Sequence, residues 1–279
     1  MIIGIDIGGT FTDFTAVDAN GRIRIHKCLT TPSDPARAVL DGLAALGAPP
    51  DAIIVHGSTI ATNALLERKG ARTALIATRG FADVIEIGRQ NRPQLYALEP
   101  VKPEPLVPRD LRFEIDERIA ADGSVLKPLD VAEVQALIPQ LLKAEVESVA
   151  VCFLFSFLHP EHEQVVKATL TPTLRHLFIS LSSDILPEYR EYERTSTTVI
   201  NAHVAPLIAR YLDRLAGGLG DRRLRIMQSN GGVISAATAA SQAARTALSG
   251  PAGGIVGAFN AARQALTPYP RPLPPLPTL

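Results

Sequence analysis

Asp6-Ile7-Gly8-Gly9-Thr10-Phe11-Thr12-Asp13 brings two carboxylates, a glycine pair and two hydroxyls into eight consecutive residues. That set suits a phosphate and a divalent cation. Successive backbone N–H groups in a glycine turn form a concave anion site without a helix dipole, and Asp6 and Asp13 are placed to hold Mg²⁺ directly or through water. Gly8 and Gly9 are expected at the positive φ angles of a tight turn, with the hydroxyls of Thr10 and Thr12 beside them. Asp6 ends the nearly all-apolar segment Met1 to Ile7, and a carboxylate buried at a strand end requires a partner or a metal. A Gly-Gly-Thr run between strands is also the composition of an ordinary β-turn, and these residues alone leave both readings open.

The flanking segments decide how the groups are held. A Walker loop or a dinucleotide fingerprint runs from strand into helix, but Phe14-Thr15-Ala16-Val17 favours strand and Asn20-Gly21 is a hairpin turn before Arg22-Ile23-Arg24-Ile25. The glycines therefore sit inside a β-hairpin. Further on, Ser33 or Asp34 caps a helix with Pro35 in its first turn, ending near Gly47. Ile53-Ile54-Val55 is a buried strand that delivers His56-Gly57-Ser58-Thr59 to a helix over Ile60 to Lys69. Strand, small-residue turn and helix point N–H groups and hydroxyls at a ligand. His56 is a candidate general base, with a hydrogen-bonded strand-end residue as the alternative. Asn63 faces either the same space or solvent.

Strands and helices then alternate. A strand spans Thr73 to Ala77, and a second hairpin runs from Phe113 and Ile115 through Asp122-Gly123 to Val125-Leu126. A helix runs from Asp130 to Lys143, strands cover Val149 to Phe155 and Phe178 to Leu181, a long helix covers Pro187 to Leu215, and a strand covers Leu224 to Met227. Between them, the charged loop 79–92 reads as ligand contacts or as a solvated face, and the proline-punctuated run 99–109 as extended chain. Thr195-Ser196-Thr197-Thr198 are poor helix formers, so the long helix breaks there or the hydroxyls have a task. His159 and His162 are at metal-ligand spacing, but Pro160, Glu161 and Glu163 already explain that segment as a helix start. A second glycine turn, Gln228-Ser229-Asn230-Gly231-Gly232, is expected to line the same cleft as the first. A helix rich in Gly and Ala follows Ser249, and Thr267 to Leu279 holds six prolines in thirteen residues, too many for sheet or helix.

Lys+Arg and Asp+Glu both total 28 in 279 residues, so no net field draws the chain to nucleic acid or to an anionic membrane. No stretch approaches the ~20 apolar residues of a membrane span and no basic leader precedes Asp6, which predicts a cytoplasmic location. Cys28 and Cys152 lack Cys or His neighbours at metal spacing and read as reduced core thiols.

The hairpin with its Asp-Ile-Gly-Gly-Thr-Phe-Thr-Asp tip resembles the first phosphate motif of the actin-like ATPase superfamily. With it, the stretches His56 to Gly70, Glu188 to Ala202, Met227 to Gly232 and Leu248 to Gly254 are similar to the hydantoinase A / 5-oxoprolinase family, which includes acetone and acetophenone carboxylase subunits. The resemblance covers residues 1–260. It implies an α/β actin-like ATPase (ribonuclease H-like) fold with a mixed sheet. The implied division is an N-terminal domain over 1–185, the start of a hydantoinase A domain over 186–265, and a disordered proline-rich tail over 266–279. The implied activity is an ATP-dependent hydrolase in which phosphoryl transfer to the carbonyl oxygen of a cyclic amide lets water open the ring. By resemblance, Gly8, Gly9 and Thr10 hold ATP phosphates with Thr12 alongside, and Asp6 and Asp13 serve Mg²⁺. Asp6, Asp13 and His56 form the catalytic set, Gly57, Ser58, Thr59, Asn63, Asn230 and Gly231 border the substrate, and a hydantoinase B-type subunit is the partner. The family's second phosphate motif, similar to Asp-Met-Gly-Gly-Thr-Ser-Thr-Asp, is expected shortly after the helix beyond Ser249 and is not in this sequence. The second lobe is therefore expected to be incomplete and the chain to be a truncated fragment with little or no activity alone. A sugar-kinase-like small-molecule kinase and a non-catalytic or split subunit are the alternatives, and hydantoin, 5-oxoproline and ketone all stay open as substrates.

Overall fold

Alternation along the first strand sets the frame. In a computed structural model that describes residues 1–265, β1 (Ile2–Ile7) buries Ile3, Ile5 and Ile7 and turns Ile2, Gly4 and Asp6 to the other face. β2 (Phe11–Val17) and β3 (Ile23–Leu29) follow as a meander, then α1 (Pro35–Ala45), β4 (Ile53–Ser58) and α2 (Ile60–Leu66). The next stretch runs β5 (Thr73–Thr78), α3 (Val84–Ile87), β6 (Arg112–Ile115), β7 (Arg118–Ile119), β8 (Val125–Lys127) and α4 (Val131–Lys143). It continues through β9 (Ser148–Cys152), α5 (Glu161–Leu170), β10 (Phe178–Leu181) and α6 (Ser182–Ile185). The chain returns by the 29-residue α7 (Glu191–Leu219) to β11 (Arg223–Met227), β12 (Val233–Ser235), α8 (Ala236–Ser241) and α9 (Ser249–Ala265). The proline-rich run expected over 266–279 lies outside the described residues.

Two larger sheets result. The first has the order β12-β11-β4-β1-β2-β3, with β1, β4 and β11 parallel and the outer strands antiparallel. The second, β10-β9-β5-β6, is all parallel. β11 and β12, from beyond residue 185, extend the sheet that β1 and β4 begin. One long helix closes both cores: α7 contributes Val199 and Ala202 to the second, then Ala205, Ile208, Leu212 and Leu215 to the first. The other face of the first sheet, which carries Asp6, leaves Ile2, Ile23, Ile25 and Leu29 exposed.

Several local expectations change. α7 starts at Glu191, after Arg190 at φ 78°, and stays helical through the hydroxyl run. Thr195 pairs with the Cys152 Sγ at 3.0 Å and Thr198 donates to the Arg194 carbonyl, so two of the four hydroxyls satisfy the core. The second hairpin exists as β7 and β8, whereas Phe113 and Ile115 belong to β6 beside β5. In the charged loop, Asp83 and Glu86 pair with Arg109 and Arg112, and Arg89 with Glu193, so those charges are spent internally. His162 pairs with buried Glu117 at 2.6 Å while His159 lies against Gly123, so the two rings serve different neighbours. Cys152 is buried and Cys28 half-buried, both as free thiols.

His203 pins the point where the chain leaves the first sheet for the second. Its Nε2 accepts from the Gly70 N–H at 3.1 Å, its Nδ1 donates to the Ala71 carbonyl at 3.0 Å, and its own carbonyl accepts from the Ala71 N–H at 2.8 Å. A Cβ on Gly70 would lie 2.2 Å from the ring, which its hydrogen bonds prevent from moving aside. Gly70→Ala is therefore expected to destabilise the chain by about 1–3 kcal/mol, as overpacking does. Thermal melts of Gly70→Ala with and without His203→Ala check this, since the second change should recover part of the loss.

Candidate functional site

The hairpin tip is held from behind, which leaves its front free. The Gly8 N–H donates to the Phe11 carbonyl at 2.9 Å, and Thr30 on the neighbouring strand end donates its N–H to Thr10 O and its hydroxyl to Gly8 O. The N–H groups of Gly9 and Thr10 make no backbone hydrogen bond among the described residues, and nothing lies within 4 Å of the position a Gly9 Cβ would occupy. Both residues are exposed, so these two donors are available to an anion. Neither glycine lies in the left-handed region, contrary to expectation. A Cβ on Gly8 would crowd the Phe11 carbonyl at 3.2 Å, whereas one on Gly9 would enter open space in front of the turn. Thr12 is completely buried, and its hydroxyl meets that of Thr30 at 3.0 Å, so it supports the turn and is not free for a phosphate.

Asp6 and Asp13 are cross-strand partners on the open face of the hairpin. Asp6 is exposed, not buried at a strand end as the apolar sequence around it suggested, because β1 covers only one of its faces. Two backbones approach its carboxylate: Cβ atoms on Gly57 of β4 and Gly250 of α9 would lie 3.4 and 3.6 Å from its Oδ1. Partial desolvation, then the charge of Asp13, holds the Asp6 carboxyl above its ordinary value of 3.8. Asp13 is matched by Lys27 at 2.9 Å. No cluster of three metal-ligating side chains occurs among the described residues. Two facing carboxylates beside free N–H donors nonetheless fit Mg²⁺, which keeps several waters and takes its remaining ligands from carboxylate and phosphate.

The second expected loop mostly builds the wall. Ser58 is buried, and its hydroxyl accepts from the Ile60 N–H at the start of α2. Thr59 donates to Ile7 O at 3.1 Å, and exposed Asn63 donates to the Thr59 hydroxyl at 3.4 Å. Ser249, which the sequence reading placed only at a helix start, is 1% exposed and donates to the Ser58 carbonyl, fastening α9 over the ends of β1 and β4. Four residues along α9, a Cβ on Gly253 would meet Met227 Sδ at 2.8 Å, and Val256 closes on Gly231, which has φ 83°. Asn230 turns its Oδ1 back to the Gly232 N–H at 2.9 Å. The glycine turn 228–232 and Asp6 thus lie along one helix, about a turn apart.

His56 is a correction. In register with Ile5, it points to the opposite face from Asp6 and Gly57 and is completely buried. Its Nδ1 donates to Ile5 O at 3.4 Å and its Nε2 accepts from the Tyr211 hydroxyl at 2.7 Å, the pattern of a neutral ring. Burial lowers its pKa from 6.5 to about 4. It ties α7 to the central strands and does not reach the open face.

Residues 2–174 match the hydantoinase/oxoprolinase N-terminal region and residues 194–267 the hydantoinase/oxoprolinase family. The caprolactamase subunit alpha of Pseudomonas jessenii is 38% identical over 266 residues, covering 90% of this chain and 38% of that protein. The 5-oxoprolinase of Saccharomyces cerevisiae is 31% identical over 304 residues, covering 91% and 23%. A solved structure of acetone carboxylase, from work on ATP-dependent acetone carboxylation, superposes with a TM-score of 0.85 at 29% identity, covering 95% of this chain and 41% of that one. The α/β architecture with its mixed sheet is of the actin-like ATPase type. This chain spans about two-fifths or less of the proteins it matches. No described helix is long and apolar enough to cross a membrane.

The two faces respond to acid in opposite directions. The raised Asp6 value penalises the folded, ionised form at neutral pH, and the penalty fades as pH falls through that value towards 3.8. The lowered His56 value makes the unfolded chain bind its proton first, so stability is lost as pH falls from 6.5 towards 4, by up to roughly 3 kcal/mol. Denaturation followed between pH 7 and 4 should show a flatter profile for His56→Gln. Asp6→Asn should be more stable than the parent at pH 7, with a gap that closes on acidification; an Asp6→Asn chain that melts lower at pH 7 contradicts the assignment.

Proposed function

The chain belongs to the hydantoinase/oxoprolinase family, and from that premise we propose that it forms one wall of an ATP-dependent site that opens cyclic amides. The observation that carries the reading is the pair of free N–H groups at Gly9 and Thr10 beside the Asp6 carboxylate, with glycine backbone on either side. Gly9 and Thr10 donate to the terminal phosphates of ATP, and Gly8 keeps the turn closed behind them. Asp6 and Asp13 hold the waters of Mg²⁺, which when bound offsets the phosphate charge. In the reaction, the amide carbonyl oxygen takes the γ-phosphoryl group as its bond to ADP breaks. Water then adds to the ring carbon, the C–N bond breaks with a proton passing to nitrogen, and phosphate leaves. Ser249, Gly250 and Gly57 contribute close backbone packing that keeps Asp6 aimed at the turn.

A second wall carrying the family's other phosphate motif, and a further subunit of hydantoinase B type, complete the assembly in this proposal. The name of the caprolactamase relative, a subunit alpha, supports the second of these. Reduced thiols and ATP are both cytoplasmic, the location proposed here.

MgATP titrated into the 279-residue chain is expected to bind more weakly than micromolar, without steady ADP release. Gly9→Val, which fills the nest, and Asp6→Asn should abolish that binding. Tight binding with turnover by this chain alone overturns the one-wall reading, and binding unchanged in both variants overturns the phosphate-loop reading.

A further inference from the structure

Asp6, Asp13 and Lys27 form one row across the open face of the first sheet. Asp6 of β1 is the direct partner of Asp13 on β2, and Asp13 of Lys27 on β3, so the three side chains stand side by side on one face. β3 is the last strand of the sheet, and the row ends at Lys27. Its ammonium is gripped twice: it meets Asp13 Oδ1 at 2.9 Å and lies 4.5 Å from the centre of the Phe11 ring. Phe11 is the residue whose carbonyl closes the turn on the Gly8 N–H, so the ring draws the ammonium towards the hairpin tip, where Gly9 and Thr10 are exposed. The Lys27 and Asp13 side chains are each 52% exposed, and an ion pair so open to water is readily exchanged for other partners.

We propose that Lys27 is a stand-in for the divalent cation: it holds Asp13 while the site is unloaded and yields Asp13 to a cation that arrives with nucleotide. This rests on the phosphate-turn reading proposed above and adds a residue to it. Without Lys27, two facing carboxylates would seat any divalent cation. With it, the ammonium leaves the row one net negative charge where two would stand, so a free hydrated cation gains its second carboxylate only by displacing an ammonium. A magnesium–nucleotide complex offsets that loss, because Lys27 released from Asp13 has phosphate oxygens to turn to beside the Gly9 and Thr10 N–H groups. A flexible four-carbon stem with three rotatable donors changes anionic partners without any change in the backbone. One side chain thus opposes the cation alone and favours the complex, which keeps the site from filling with cation before nucleotide.

Mn²⁺ binding to the 279-residue chain without nucleotide, followed by electron spin resonance, and MgATP binding, followed by calorimetry, test this. Lys27→Met should bind Mn²⁺ about tenfold more tightly than the parent, and MgATP more weakly, a pair of opposite shifts that a merely structural role does not produce. Lys27→Arg, which keeps the charge, should stay near the parent in both measurements. Lys27→Gln serves the same purpose if the methionine variant does not fold. Adding Asp6→Asn to Lys27→Met should remove the gain in Mn²⁺ affinity, which assigns the cation to this row. Parent-like Mn²⁺ affinity in both neutral variants, a gain that survives Asp6→Asn, or MgATP bound by Lys27→Met at the parent's strength overturns the stand-in; MgATP binding that Gly9→Val still abolishes then leaves the phosphate-turn reading intact. An Asp6-dependent gain in Mn²⁺ affinity in a chain that never binds MgATP supports the stand-in and sinks the phosphate-turn reading.

Discussion

Arg194 is the largest side chain the fold buries completely, and its position dictates where α7 can lie. Its guanidinium donates to the Phe153 carbonyl at 2.7 Å and to the hydroxyls of Ser156 and Ser182, and Ser182 passes a hydrogen bond to buried Glu163 at 2.6 Å. A charge this far from water needs such partners, and three bonds from Nη1 supply them here even though the Nε–H has none among the described residues. This network locks the first turn of a helix roughly 43 Å long to the second sheet. The other end of that rod carries Tyr211, Leu212 and Leu215 into the first core, and so sets where β1 and β4 sit beneath the Gly8-Gly9 turn.

Along the rod, polar groups fall into two populations. Asn201 and His203 have partners on both side-chain polar atoms and Arg194 on its Nη1, and each ties α7 to a different segment. The exposed N–H groups of Gly9 and Thr10 and the exposed Asp6 carboxylate are left open at the C-terminal edge of the parallel strands. The same sheet therefore separates support from chemistry: His56 and Asp6 lie on adjacent strands but face opposite ways.

Much of this was legible beforehand. The hairpin, the turn at 228–232, and the close approach of a glycine-rich helix followed from residue types alone, since Gly and Asn-Gly have few other uses in such settings. The misreadings share one cause, which is that side-chain direction depends on pairing the sequence does not display. His56 looked catalytic because its neighbours are polar, yet a one-residue alternation sends it inward. Thr12 failed in the same way, and Asp6 in the reverse sense, exposed by a strand whose apolar run suggested full burial. The hydroxyl run in α7 defied helix propensity because burial against Cys152 and the Arg194 carbonyl satisfies it.

The clasp at His203 has a consequence for how such chains can diverge. Everything between Arg72 and the middle of α7 leaves and re-enters the first sheet through one point, where Gly70 and Ala71 touch His203. The second sheet is in that sense a cassette whose ends are stapled together by its host. With the entropy of closing that long loop already met at the clasp, lengthening or remodelling the cassette adds little further cost to the host. The cassette and α7 can thus change while the Gly8-Gly9 turn, on the far side of the staple, keeps its shape.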